Sequence, residues 1–329
     1  MSTSNLRKRL PPAISIVEVG PRDGLQNQAQ EVPSELKIEF VNALSLAGLK
    51  VIEVTSFVDP KWVPQLGDAE LVMKQIDRAD GVRYPVLVPN ERGLDRAIEA
   101  GAQEISIFAS ATETFSQKNL NRSRDEAIEM FRPVAKRAKE ETLRVRGYLS
   151  MVLGDPWEGE VPVSQVADAS ERLMDLGCDE LSLGDTIGVG TPGKVQELIG
   201  TIIDRGFAPE VLAVHFHDTY GQGLANVLAA LEMGVTIVDS SAGGLGGCPF
   251  AKSATGNLAT EDLVWMCDGL GIATGVDVHA VASASTTLCR KANIPVPGRV
   301  ARVLAHDTHS LPKNGTSRGV GLPKGISNG

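Results

Sequence analysis

The chain has 329 residues, 42% of them hydrophobic and 22% charged, with four cysteines, the make-up of a soluble globular protein long enough to bury a substantial core. That composition excludes disorder, collagen and a disulfide-stapled scaffold. Lys plus Arg number 32 against 41 Asp plus Glu, a formal charge of -9, and only 4% of residues are aromatic; such a chain repels phosphates and lacks stacking platforms, so no nucleic-acid partner is expected.

No apolar run approaches the roughly 18 residues a membrane helix needs, so no membrane partner is expected. The opening MSTSNLRKRLPP has a basic cluster with no apolar stretch behind it, which reads as neither a signal peptide nor a transit peptide. Cys178, Cys248, Cys267 and Cys289 show no CxxC spacing, pointing to free thiols and a cytoplasmic location.

Apolar, β-branched-rich runs recur along the chain, and each is followed by a segment of helical period. The predicted strands are Ile14 to Val19, Val51 to Phe57, Tyr84 to Pro89, Glu104 to Ala109, Val145 to Val152, Glu180 to Leu183, Leu212 to Phe216 and Ile237 to Ser240. The predicted helices are Ser34 to Leu49, Glu70 to Ile76, Gly93 to Ala100, Arg124 to Lys139, Val163 to Leu176, Pro192 to Arg205, Leu224 to Met233 and Leu258 to Leu270, with a further one from His279 to Ile294.

Eight alternations predict an α/β fold, a closed (β/α)8 TIM barrel with an appended C-terminal helical segment. A doubly wound open sheet is the rival, but the turn after Val19 reads GPRDGLQNQ, without the GxGxxG of dinucleotide binding. The expected division is an N-terminal extension over 1–12, a catalytic barrel over 13–300 and a flexible tail over 301–329, rich in Gly, Ser and Lys.

Reactive groups of such barrels gather where strands end. Arg22 and Asp23 follow the first predicted strand, Glu53 lies in the second, Asp185 follows the sixth, His215 and His217 end the seventh, and Cys248 and Asn257 follow the eighth. On an extended strand, the i, i+2 spacing of His215 and His217 puts both imidazoles on one face, where they can meet one ion or simply be two hydrogen-bonded histidines. With Asp23 and Asn257 as further donors, the mixed N/O set suits Mg²⁺ or Mn²⁺ better than a thiolate-rich zinc site, although zinc stays open. Arg22 offers a permanently charged fork for anionic oxygen, or a surface ion pair. Cys248, after the glycines of SAGGLGGCPFA, is a small buried hydrophobe or a catalytic thiol. The predicted strands hold no lysine, so a Schiff base on a strand is not available and carbon–carbon chemistry would need a metal.

The blocks EVGPRDGLQNQ, IEVTSFVDPKWVPQLGD, LSLGDTIGVGTPG, VHFHDTYGQGLAN and GGLGGCPFAKSATGNLATEDL resemble those of the 3-hydroxy-3-methylglutaryl-CoA lyase family, over roughly residues 13 to 300. RDGLQ and HxHD are shared with the isopropylmalate, citramalate and homocitrate synthases; GGLGGCPFA with GNLATEDL is narrower. The resemblance implies that Asp23, His215, His217 and Asn257 bind the divalent cation, that Arg22 stabilises an enolate, and that Cys248 takes part in proton transfer. It further implies that Glu53 and Asp185 serve the substrate hydroxyl or the network around it, and that Gln26 contacts substrate. An acyl-CoA substrate and a homodimer are expected with it. Gln28 and Ala29 stand where many relatives have Glu and Lys, and the tail after Arg290 has no cysteine, so thiol control through a C-terminal cysteine is not expected. The alternatives are a Claisen-type synthase joining acetyl-CoA to a 2-oxo acid, or a non-catalytic acyl-CoA-binding barrel.

Overall fold

The eight predicted strands all form, and they close on themselves. The computed structural model describes residues 10–247 and 256–306. Its strands are β1 (Ser15–Glu18), β2 in two pieces (Val51–Ile52 and Thr55–Ser56), β3 (Val86–Leu87), β4 (Glu104–Ser110), β5 (Arg144–Ser150), β6 (Glu180–Asp185), β7 (Leu212–Phe216) and β8 (Ile237–Ser240). Neighbours pair in parallel in chain order, and β8 returns to β1. Residues 51–57 complete the ring. Val51 and Ile52 register against Val17 and Glu18 of β1, while the Ile52 and Val54 amides donate to the carbonyls of Arg83 and Pro85 beside β3. With β2 bonded on both edges the sheet is a barrel, not the open rival.

The helices are α1 (Ser34–Leu46), α2 (Ala69–Gln75), α3 (Glu91–Glu99), α4 (Glu113–Leu120), α5 (Arg124–Met130), α6 (Arg132–Glu140), α7 (Val163–Met174), α8 (Pro192–Asp204), α9 (Gly223–Glu232), α10 (Thr260–Leu270), α11 (Val278–Ala292) and α12 (Arg299–His306). The single helix predicted from Arg124 to Lys139 is two, because Pro133 has no N–H to continue the first and suits the opening turn of the second. α4 was not predicted: ETFSQKNL has too few apolar residues for a helical period to show. α11 is the expected appended helix, capped by Asp277, whose carboxylate accepts from the amides of His279 and Ala280. α12 runs through residue 300, where the tail was expected to start. It is held by buried Ala301 and by the Asp262 carboxylate, which accepts from the Val300 amide at 2.7 Å. Residues 307–329 lie outside the described residues.

Side-chain alternation sorts the strands into two environments. Ile105, Ile107, Leu181, Leu183, Val214 and Phe216 turn outward and join the helices in one apolar core. Inside the barrel sits a separate apolar patch of Val17, Val19 and Val51 with Ile237. Much of the remaining interior is charged: Arg146 pairs with Glu180 at 2.6 Å and with Asp239 at 2.5 Å, all three buried. Most barrels of this type fill that space with branched apolar side chains. Cys178, Cys267 and Cys289 are free and buried among the described residues, with burial pushing their thiols up to about 12, 11 and 12, so they are inert at neutral pH.

Candidate active site

A cavity of about 1260 Å³ opens at the C-terminal ends of the strands, lined by Arg22, Asp23, Gln26, Tyr148, His215 and His217 among others. Arg22 and Asp23 sit on a wide turn, Gly20–Gly24, in which the Asp23 and Gly24 amides both return to the Val19 carbonyl at 2.7 and 3.1 Å. Gly20 leaves room for the Glu18 carboxylate, which a Cβ there would meet at 2.6 Å. His215 lies in β7, and His217, two residues on, keeps the same inward parity. Asn257 reaches them because residues 256–258 run back alongside the end of β7: Asp218 N donates to the Gly256 carbonyl at 2.8 Å, and His217 bridges Asn257.

The Nε2 atoms of His215 and His217 stand 3.3 Å apart, and Asp23 Oδ2 is 3.9 Å from His215 Nε2. These separations approach the edges of an octahedron around a small divalent ion, about 3 Å for metal–ligand distances near 2.1 Å. Asp23, His215 and His217 form the one such group of donors among the described residues. His217 Nδ1 is buried without a partner among them. The donors therefore fit a cation. Asn257 joins the group with its amide nitrogen, donating to Asp23 Oδ2 at 2.7 Å and to the Leu245 carbonyl at 3.2 Å.

Arg22 is 7% exposed. Its Nε donates to Glu53 Oε2 at 2.6 Å and its Nη1 to Asp23 Oδ1 at 2.7 Å, while Nη2 has no hydrogen bond to a described residue. Its guanidinium lies 5.5 Å from the centre of the Tyr148 ring, a cation–π contact. Burial alone would raise the Asp23 carboxyl, but Arg22, both imidazoles and the Asn257 amide outweigh it and hold the group well below the usual carboxylate range. Burial, with His215 beside it, lowers His217 to about 4 despite Asp23. At neutral pH His217 thus keeps a lone pair for an ion.

Two of the expected catalytic carboxylates do not line the cavity. Asp185 shares the outward parity of Leu181 and Leu183. Its oxygens accept from the Val189 and Gly190 amides at 3.1 and 2.8 Å, holding the loop after β6, and burial raises it to about 6 against those bonds. Glu53 points inward but is fully buried behind Arg22. Both act here on neighbouring groups. Gln26 lines the cavity as expected. Cys248 lies outside the described residues; Gly247 before it is on the cavity wall.

Glu18, Arg146, Tyr148 and Asp239 were not singled out from the sequence. The available signal was a charge at an inward position of an otherwise apolar strand, as in RVRGYLS and IVDS. Glu18 faces the opposite way, and its oxygens accept from Gly20 N, Ala242 N and Thr260 Oγ1 at 2.8, 2.8 and 2.6 Å, joining the Arg22 turn to the loop after β8. Burial raises its carboxyl from 4.5 to about 7 against those bonds. Between these values the folded protein holds a proton that the unfolded chain has released, so stability from this group falls as pH rises through the window. In Glu18→Gln the change in Tm from pH 4.5 to 7 is expected to be shallower than in the parent protein, as read by scanning calorimetry.

The HMGL-like family model matches residues 13–288. The chain belongs to the HMGL-like family. It is 52% identical over 293 residues to the cytoplasmic 3-hydroxy-3-methylglutaryl-CoA lyase of Homo sapiens, covering 89% of this chain and 79% of that one. It is 50% identical over 302 residues to the mitochondrial hydroxymethylglutaryl-CoA lyase of Macaca fascicularis, 92% of each. Relatives of this HMGL-like chain thus carry names from both compartments. Among solved structures, hydroxymethylglutaryl-CoA lyase from Pseudomonas aeruginosa is 48% identical with a TM-score of 0.89, covering 91% of this chain and all of that one. A lyase from Acinetobacter baumannii in complex with coenzyme A and 3-methylmalate is 36% identical with a TM-score of 0.85, over 92% and 98% of the two chains. Family membership carries with it the divalent metal that the Asp23, His215 and His217 donors fit.

Proposed function

We propose that the protein is a cation-dependent carbon–carbon lyase that splits 3-hydroxy-3-methylglutaryl-CoA into acetyl-CoA and acetoacetate. The observation that carries this reading is the convergence of Arg22, Asp23, His215 and His217 on one cavity, in a chain about half identical to lyases of that name. The cavity volume of about 1260 Å³ exceeds the roughly 300–1,000 Å³ of ordinary small-molecule sites and suits an acyl thioester. The coenzyme A bound to the Acinetobacter baumannii relative supports the same choice of ligand.

Asp23, His215 and His217 would hold Mg²⁺ or Mn²⁺, with Asn257 joining through its oxygen after a half-turn of the amide. When bound, the ion supplies Lewis acidity to the C3 hydroxyl and an anchor for the substrate. In the reaction the C3 hydroxyl proton passes to water, the C3–O bond becomes a carbonyl as the C2–C3 electron pair passes to C2 and the thioester carbonyl, and acetoacetate departs. A proton on C2 of the enolate then gives acetyl-CoA. Arg22 meets the thioester oxygen with Nη2, its Nε and Nη1 being fixed by Glu53 and Asp23; a donor oriented in advance needs no reorganisation as charge develops. Glu53 positions Arg22. Asp185 steadies the loop after β6, and its carbonyl accepts from His217 N at 3.4 Å. Gln26 is proposed as a substrate contact, and Cys248 as a participant in enolate protonation on the GGLGGCPFA match alone. A homodimer is proposed on the same resemblance, and a cytoplasmic location on the free-thiol pattern of the cysteines.

Purified protein is expected to release acetoacetate from 3-hydroxy-3-methylglutaryl-CoA with Mg²⁺ or Mn²⁺, to stop on chelation and to recover when the ion is returned. Condensation of acetyl-CoA with a 2-oxo acid, with the lyase substrate left intact, would replace this reading by the synthase. Tight acyl-CoA binding with no turnover would replace it by a binding barrel.

A further inference from the structure

We infer that Asp239 is a positioning residue for the cation site, fixing His215 as the Nδ1–H tautomer so that its Nε2 lone pair faces His217 and Asp23. The inference rests on the cation reading of those three residues. Asp239 lies at an inward position of β8, opposite His215 in the register of β7 and β8, and is 2% exposed.

An ionised carboxylate offers about four lone-pair positions. Arg146 takes two as a fork, Nη2 to Oδ1 at 2.5 Å and Nη1 to Oδ2 at 3.2 Å, and Ser182 Oγ takes another on Oδ2 at 3.0 Å. The fourth contact is His215 Nδ1, 3.2 Å from Oδ2. An acceptor-only group facing this nitrogen requires the hydrogen to be on Nδ1, which leaves Nε2 as the acceptor. A carboxylate behind a metal-facing imidazole sets ring orientation and raises ligand basicity. Held by Arg146 and Ser182, 2% exposed and not on the cavity wall, Asp239 touches no substrate and acts through His215.

The rest of the barrel interior holds Asp239 in place. Arg146 is also pinned by Glu180 at 2.6 Å. Below it, Arg144 lies 4.0 Å from Glu180 and 3.8 Å from Glu104, and Arg83 closes on Glu104 at 2.7 Å. Three guanidiniums thus alternate with three carboxylates from the N-terminal mouth of the barrel up to His215. Such a column brings desolvation costs that apolar side chains would avoid, and what it delivers at its upper end is one oriented imidazole.

The test reads the tautomer and the ion separately from turnover. Long-range ¹⁵N–¹H correlation spectra of the unaltered, metal-free protein are expected to show His215 protonated on Nδ1; protonation on Nε2 alone would overturn the inference without any variant having to fold. Asp239→Asn is expected to weaken Mn²⁺ binding about 10- to 100-fold by calorimetry, the range found for outer-shell partners. Ser182→Ala, which leaves the His215 contact intact, is expected to change it less than 3-fold. Unchanged Mn²⁺ affinity in Asp239→Asn would overturn the inference when His215→Ala weakens binding. Unchanged affinity in His215→Ala as well would overturn the cation reading beneath it.

Discussion

Replacing Arg22 by methionine is expected to lower kcat about 100- to 1000-fold, the usual effect of removing one donor that meets developing negative charge. Methionine keeps much of the length of the side chain and its packing beside Tyr148, so what is lost is the fork. The fully buried Glu53 carboxylate then loses its 2.6 Å partner, and Asp23 loses a neighbour that holds it ionised. Steady-state kinetics at saturating Mg²⁺ or Mn²⁺ would show the fall in kcat with KM changed far less, because the interaction strengthens as the enolate forms. A variant with near-normal kcat would remove Arg22 from the chemistry and leave it as a structural ion pair.

Replacing His217 by alanine is expected to weaken Mn²⁺ binding by more than about 100-fold, since the loss of a direct ligand exceeds the 10- to 100-fold range of outer-shell partners. Turnover at low ion concentration falls with it. His217 is 5% exposed and bears no charge at neutral pH, so its removal takes away a nitrogen donor and not a cation. Calorimetric titration with Mn²⁺, beside thermal unfolding of the same sample, separates lost ligation from lost folding. Parent-like affinity would mean that Asp23 and His215 are not completed by this imidazole.

Much of the site was legible because strand periodicity is local. HxH at the end of an apolar run places two imidazoles on one face whatever the strand's neighbours are, and RD directly after a strand falls at its mouth in any parallel barrel. Parity also explains the carboxylates. Asp185 stands at an odd position with Leu181 and Leu183, so the information that it turns outward was in the strand pattern; its register is legible only at the last residue of β6, two residues past the predicted end at Leu183. Helix α4 escaped notice because its amphipathic signal is weak, and the break at Phe131 because two short helices share one apolar face.

The sequence by itself determined the eight strand–helix alternations, the barrel class, and the residue types that can bind a cation or meet an oxyanion, since these follow from contacts between residues close along the chain. Only the tertiary structure decided which of them meet. Asn257 lies 40 positions beyond His217 and reaches it by pairing with the end of β7. Asp239 comes to His215 when β7 and β8 pair, and Arg146 of β5 reaches Asp239, 93 positions away, across the barrel interior and past two intervening strands. Closure of the sheet fixes those neighbours, and a charge inside a barrel gains its partner only when the ring is complete.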